Sequence, residues 1–535
     1  MRPDTPRVSA AKEGGGTLVR RAGIVGAGTL TSRILGFMRD VVIAAIFPAA
    51  ATDLFFLVFT IPNALRMLLG EGAVASAVVP VFVEIQTKEG EEPARVYFAK
   101  ITGLLLVVLT GVSAIGVFAA PAIVSLYATG YADDAARFEE TVLLTRIVFP
   151  YIFFMGLAAL GMGGLNALRR FAVPAFTPAL LNVALIGAAF LLVEPALALG
   201  LPMIGALAIG ALIGGALQWL AQWPVQRSVG LLRKPSLDLS HPGVRKTLML
   251  MLPMLAGFGV YQVNTMIGRS LLTFLPEGSQ SYVWYGQRLV EIPQGMFALA
   301  IAASALPTLS ALRAEGNHER VREIFAKALR LNLFLALPAT VALIVLAEPI
   351  VTVAFSRGEF GRHDVLETAA SLRWQAAGIW AIGSVRTVLP MFLAYHDTRS
   401  PVVASAVNLL IFAPLAYGLM QAFDHVGIAM ALSAAGVAQL LMLLVLLRRK
   451  VGRLGLSSVL SSASTSLGAA LAMGAAVWGL SRLTDWSAGG NSLTNIGMLA
   501  ACVVLGAAVY ALGSRLLGST ELADILAVLR RRVKR

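Results

Sequence analysis

The chain has 535 residues, 57% of them hydrophobic and only 13% charged, with a formal net charge of +14 and a mean hydropathy of +0.78. Soluble domains carry about 25% charged residues, and the apolar runs here are about as long as a bilayer-spanning helix, which points to an all-α polytopic membrane protein. The single cysteine, Cys502, excludes an internal disulfide framework and a cysteine-based metal centre. No HExxH or GxxxxGK[ST] run occurs, so the chain reads as a non-enzyme with no cofactor, no metal and no nucleotide site. The positive charge is assigned to cytoplasmic loops, not to nucleic-acid binding.

Residues 1–20 form a polar cytoplasmic tail, and the first apolar stretch runs from Ala22 to Phe47. Arg20 and Arg21 precede it as in a signal peptide, but "SRILGFMRD" (32–40) interrupts it with Arg33, Arg39 and Asp40, so an uncleaved first helix is expected. Each ion near a helix centre costs about 2.5–3.5 kcal/mol on insertion scales, so these three need partners or a function. Arg33 and Asp40 are about two turns apart and share a face with Gly36, whereas Arg39 lies about 100° away from Asp40. The second helix, 53–85, opens at Asp53 and carries Arg66 and Glu71.

Further helices are predicted near 95–119, 139–168, 174–194, 201–226, 243–274, 279–312, 322–347, 366–395, 401–423, 426–448, 459–482 and 493–518, fourteen in all. The eighth contains "YGQRLVEIP", in which Arg288 and Glu291 are placed to pair on one face. "GMGG" (161–164) and "GALAIGALIGG" (205–215) read as small-residue packing faces. Basic residues crowd alternate loops: Lys88, Arg95 and Lys100; Arg169 and Arg170; Arg227 to Lys246; Arg313 to Arg330; Arg399; Arg448 to Arg453. The opposite loops hold only Arg137, Arg357, Arg362 and Arg482. Both termini are therefore expected in the cytoplasm. Arg146, Arg269 and Arg373 lie at helix ends, where they are expected to snorkel to the interface. The tryptophans are expected as interface anchors or packing residues.

"VPVFVEIQTKEGEEPARVYFAK" (79–100) matches "LPTLSALRAEGNHERVREIFAK" (306–327) at an offset of 227, which also pairs Arg146 with Arg373 and Pro174 with Pro401. Six helices separate the copies, so the repeat is parallel, and a substrate site is expected between the halves. This divides the chain into an N-lobe (20–227), a cytoplasmic linker (228–242), a C-lobe (243–450), two extra helices (459–518) and a basic cytoplasmic tail (519–535). The predicted architecture is two pseudo-symmetric six-helix lobes plus two C-terminal helices.

Arg33, Arg39, Arg66 and Arg288 converging in a low-dielectric cavity would make an anion site, because guanidinium binds phosphate bidentately and does not deprotonate. Arg39, Asp40, Asp53 and Glu71 equally suit structural or gating ion pairs, for example Arg39 with Asp53. The seventh, eleventh and twelfth helices carry no Asp or Glu in their apolar spans, so a carboxylate cation cage is not expected.

"SRILGFMRD", "ATDLFFLVFTIPNALRMLLGEGAVASAVVPVF" and "WYGQRLVEIPQGMFALAIAASALPTLS" together resemble the lipid II flippases of the MurJ/MviN type, within the superfamily that also contains multidrug extruders and polysaccharide flippases. The resemblance extends at lower density over nearly the whole chain. It implies two six-helix bundles plus two C-terminal helices. It places essential cavity arginines at Arg33, Arg39, Arg66 and Arg288, and associated acids at Asp40, Asp53, Glu71 and Glu291. The implied substrate is lipid II, the undecaprenyl-diphosphate-linked precursor of peptidoglycan, moved by alternating access to the outer leaflet of the bacterial cytoplasmic (inner) membrane. The helices at 459–518 are implied to form a groove for the lipid tail. Some members bind sodium through acids in the seventh and eleventh helices; this chain lacks them, with Asn408 the nearest polar residue in the eleventh. Expected partners are lipid II and membrane lipids, with a monomeric protein. The competing readings are a flippase for another polyprenyl-diphosphate glycan, a cation-coupled drug exporter, and a non-transporting scaffold for cell-wall proteins.

Overall fold

The computed structural model describes residues 15–66 and 74–533, and every regular element among them is a helix. The first group is α1 (Gly15–Ile46), α2 (Ala49–Arg66), α3 (Val74–Glu89), α4 (Glu91–Phe118), α5 (Ala120–Tyr127), α6 (Ala135–Val148), α7 (Tyr151–Ala167), α8 (Ala172–Phe176), α9 (Ala179–Leu191), α10 (Val193–Ala198), α11 (Gly205–Leu220) and α12 (Trp223–Ser228). There follow α13 (Pro242–Leu271), α14 (Ser279–Ala314), α15 (His318–Val345), α16 (Ala347–Phe355), α17 (Arg362–Ala377), α18 (Ile379–Ala394), α19 (Arg399–Val451), α20 (Leu456–Ser481), α21 (Leu493–Leu516) and α22 (Thr520–Val533). Ends follow local chemistry. Glu91 and Glu92 sit at the positive start of α4, and the Asn317 side chain caps α15 by accepting from the Arg320 amide at 3.1 Å.

Several expected spans are subdivided. The 139–168 span breaks before Pro150 into α6 and α7, because proline offers no amide to continue the ladder. The 366–395 span is the pair α17–α18, bent by 41°. Within α19, Asp424 has φ 45 and ψ −136, and the chain reverses there. Asn408 and Gln439 would stand about 46 Å apart along a straight helix, yet the Asn408 amide donates to Gln439 at 3.2 Å. The two helices expected at 401–423 and 426–448 are thus the two limbs of α19. Among the described residues, seven spans, or eight with the bent pair, are long and apolar enough to cross a bilayer.

The chain divides into two compact units. Unit 1 holds the described residues up to Val42 and those within Ile61–Pro121 and Val142–Phe258. In it, α3, α4 and α7 pack together, and α11 lies against α7 and α9. The small-residue faces serve close approach: Gly210 meets Ala188, Gly214 meets Leu181, and Gly164 meets Phe98. The linker after α12 docks along the start of α4. Lys100 pairs with Asp238 at 2.8 Å and holds that carboxyl well below the usual range. Arg233 forks onto Glu92 at 2.6 and 2.9 Å.

Unit 2 holds Ile43–Thr60, Ala122–Thr141 and Gly259 onward. Its core joins α14, α15, α18 and α19 through Phe325, Met391, Phe392, Leu443 and Leu447, all buried. Helix α20 packs on α15, and α21 packs on α20. The outward face of α21 leaves Val503, Val504, Leu512 and Leu516 exposed. Such a row is costly in water and ordinary against lipid tails.

Candidate anion-binding site

Four predicted residues lie in unit 1. Arg39 and Asp40, in the last two turns of the long α1, are both buried. The Arg39 guanidinium grips Asp40 Oδ1 from Nε at 2.9 Å and Nη2 at 2.6 Å, while Nη1 donates to Asn182 Oδ1 at 3.1 Å. Asn182 in turn donates to the Ser32 carbonyl at 3.1 Å, fastening α9 to α1. The ion pair suggested between Arg39 and Asp53 is thus replaced by Arg39–Asp40: the long guanidinium arm folds back over its neighbour. Arg33 is an exposed residue of α1. Arg66 ends α2 half-buried, with Nε donating to Asn63 Oδ1 at 3.0 Å. Glu71 lies outside the described residues.

The other predicted residues lie in unit 2. Arg288 donates to Glu291 Oε2 at 2.9 Å, the one-turn pair that the spacing predicts. Its guanidinium also stands 5.1 Å from the centre of the Trp284 ring, within cation–π range. Trp284 stacks on Phe56 at 4.5 Å with 12° between the planes, which fixes the indole. Trp284 is therefore part of this cluster and not an interface anchor.

Asp53 is buried and caps the start of α14 from a distant part of the chain. It accepts from the Gly278 amide at 2.7 Å, the Ser281 amide at 2.8 Å and the Ser281 hydroxyl at 2.7 Å. A carboxylate at the first turn meets unpaired amides and the positive end of the helix dipole. Gly278 makes this possible: its φ of 91 suits glycine, and a Cβ there would lie 2.4 Å from Tyr282. Thr52 and Ser281 share a hydrogen bond of 2.7 Å. Arg137, on α6, reaches Glu277 at 3.0 Å and approaches Asp53 at 3.7 Å. Glu359 donates its amide to the Ala45 carbonyl at 3.0 Å, a second tie to the same short segment.

Among the described residues no three His, Cys, Asp or Glu side chains converge as a metal site. Asn408 belongs to an amide chain: Asn264 donates to Asn408 at 2.9 Å, Asn408 to Gln439 at 3.2 Å, and Gln439 to Ser405 at 3.3 Å. This neutral, mutually bonded set does not fit a carboxylate sodium cage.

The family model described as lipid II flippase MurJ matches residues 43–497. The chain belongs to that family. It is 36% identical over 82% of its length to a probable lipid II flippase MurJ of Bdellovibrio bacteriovorus, covering 84% of that protein. It is 35% identical over 95% of its length to a probable lipid II flippase MurJ of Vibrio cholerae, covering 98% of it. Among solved structures it is similar to a lipid II flippase MurJ in an inward closed conformation, with a TM-score of 0.76 and 26% identity over 92% of this chain and 98% of the other. An inward-facing multidrug MATE transporter gives a TM-score of 0.66 at 16% identity over 80% and 96% of the two chains, a likeness of fold alone.

For this MurJ family member, the Arg288–Glu291 pair was legible because its partners stand one turn apart, whereas Arg39 was expected to pair with Asp53 and pairs with Asp40 instead. Sequence reasoning passed over Trp284, Ser281 and the role of Arg137, whose partners are remote in sequence. Arg146, in the last turn of α6, and Arg373, within α17, are both exposed. Arg269, also expected to snorkel, is instead buried, because the Gln280 side chain and carbonyl receive it inside unit 2.

Proposed function

We propose that this chain is a lipid II flippase of the bacterial cytoplasmic membrane, working by alternating access with both termini in the cytoplasm. The carrying observation is Arg288, half-exposed on a family-matched chain, with its guanidinium oriented by Glu291 and Trp284. Moving a diphosphate through the membrane requires a replacement for its water shell. Arginines supply this with paired donors that stay charged at any physiological pH. Arg33 and Arg66 of unit 1 and Arg288 of unit 2 take the diphosphate in this reading, and Arg39 is held by Asp40. The polyprenyl tail stays in lipid beside α20 and α21. No bond of the substrate is made or broken, so no catalytic group is needed.

The Asp53 cluster lies at helix ends opposite the basic loops, on the outer side by the positive-inside rule. It joins segments of the first repeat, 43–60 and 122–141, to the start of α14 in the second. In the proposed cycle this tie holds the outer end shut and breaks when the sugar–peptide head leaves. The lobes 20–227 and 243–450 move against each other about the linker 228–242. Depletion in a strain where this protein is the sole flippase tests the proposal. Lipid II should accumulate on the inner leaflet, shielded from an externally added lipid II-cleaving enzyme, before lysis. Lysis with normally accessible lipid II, or accumulation of a different polyprenyl-diphosphate glycan, would overturn it.

A further inference from the structure

Buried in unit 2 beside Arg288 is a second guanidinium, that of Arg269. Its Nη1 donates to the Gln280 carbonyl at 3.0 Å and to Gln280 Oε1 at 3.2 Å. Gln280 returns a bond from Nε2 to the Arg269 carbonyl at 2.6 Å. These acceptors are neutral, and among the described residues no carboxylate comes within ion-pair distance of Arg269. A buried cation held only by neutral groups is costly, and an arriving anion relieves that cost. Arg269 also stands 5.0 Å from the centre of the Trp284 ring, whose other guanidinium contact is Arg288 at 5.1 Å. The Trp284 indole N–H is buried and has no acceptor among the described residues, a second donor left unmet.

Gln280, Trp284 and Arg288 follow one another at four-residue steps and so form one stripe of α14. The stripe runs from Arg288 toward the start of the helix, ending at Gln280, which receives Arg269 from α13. Phe56 fixes the indole by stacking. The result is a pair of guanidiniums sharing one aromatic platform, with an unused N–H donor in the same plane as the ring.

We propose that Arg269 and the Trp284 N–H form a second anion subsite that takes one phosphoryl group of the carried lipid's diphosphate, while Arg288 takes the other. This rests on the diphosphate reading above and adds to it a specific expectation: the subsite is what distinguishes diphosphate from monophosphate. Arg269 is a binding residue, and Trp284 is both platform and donor.

The test uses the full chain, purified in nanodiscs, with undecaprenyl diphosphate and undecaprenyl monophosphate as the two probes. Kd is measured for wild type, Arg269→Gln, Trp284→Phe and Arg288→Gln, with Tm as a folding control. Arg269→Gln should weaken diphosphate binding about tenfold and monophosphate binding little, so the preference collapses. Trp284→Phe, which keeps a stacking ring and loses only the N–H, should reduce the preference about threefold. Arg288→Gln should weaken both lipids. An unchanged preference in Arg269→Gln and Trp284→Phe, with binding lost in Arg288→Gln, overturns the subsite and leaves the main reading intact. Wild-type binding of both lipids by Arg288→Gln overturns the main reading itself. If Arg269→Gln fails to fold, Arg269→Lys and Trp284→Phe carry the same comparison, and an unchanged preference in both is again the contrary result.

Discussion

At the scale of single residues, the buried charges Arg39, Asp40 and Asp53 are explained by what they touch. Arg39 and Asp40 neutralise each other inside a helix, which removes most of the insertion penalty that makes "SRILGFMRD" conspicuous. Asp53 serves differently: three donors of the α14 start converge on it. Asp53→Ala should lower stability by about 2–4 kcal/mol, because buried amides of Gly278 and Ser281 lose their acceptor. Asp53→Asn, which keeps one acceptor oxygen, should lose about half as much. The two melting temperatures against wild type check this; equal, unchanged values would show that the cap contributes nothing. The Arg288–Glu291 pair was legible because residues three apart share a helix face; Arg39–Asp40 was not, because adjacent residues point about 100° apart and only the long guanidinium arm folding back joins them. The Asp53 cap was not, since its partners lie more than 220 residues away and no periodicity links an aspartate to a distant helix start. Arg269 was misjudged for a related reason: position near a helix end says nothing about a receiving glutamine across the turn.

At the scale of elements, hydropathy located most helices, but proline and bends subdivided them, as at Pro150 and between α17 and α18. The reversal at Asp424 matches the break expected between the eleventh and twelfth helices; an aspartate accepts the left-handed backbone there more readily than the surrounding apolar residues. The reversal also assembles the Asn264–Asn408–Gln439–Ser405 chain. With all four groups neutral and bonded to one another, flipping should be independent of sodium. Replacing sodium by choline at constant membrane potential should leave the rate in proteoliposomes within about twofold. A loss of tenfold or more would mean that these amides open to coordinate the ion. The small-residue faces at 161–164 and 205–215 were legible as packing faces, because glycine in an apolar run has few other uses in a membrane helix.

At the scale of the whole molecule, the sequence repeat supplies the hypothesis of two moving lobes, and the Asp53 cluster supplies the bond set that opens in the proposed cycle. Thr52 and Ser281 share a 2.7 Å hydrogen bond between side chains attached to different repeats. The double variant Thr52→Cys, Ser281→Cys should therefore form a disulfide. Oxidised, it should stop flipping; reduced, it should recover most of the wild-type rate. Flipping at the wild-type rate in the oxidised form would show that this end does not open during transport. The central claim is that the arginines bear the substrate's diphosphate, and the most direct measurement compares Arg33→Ala, Arg66→Ala and Arg288→Ala as sole flippases in cells. The readout is the fraction of lipid II reached by an externally added cleaving enzyme, with protein levels normalised. Each variant is expected to cut that fraction at least tenfold, and Arg288→Lys to cut it less; wild-type accessibility in all three alanine variants would contradict the claim.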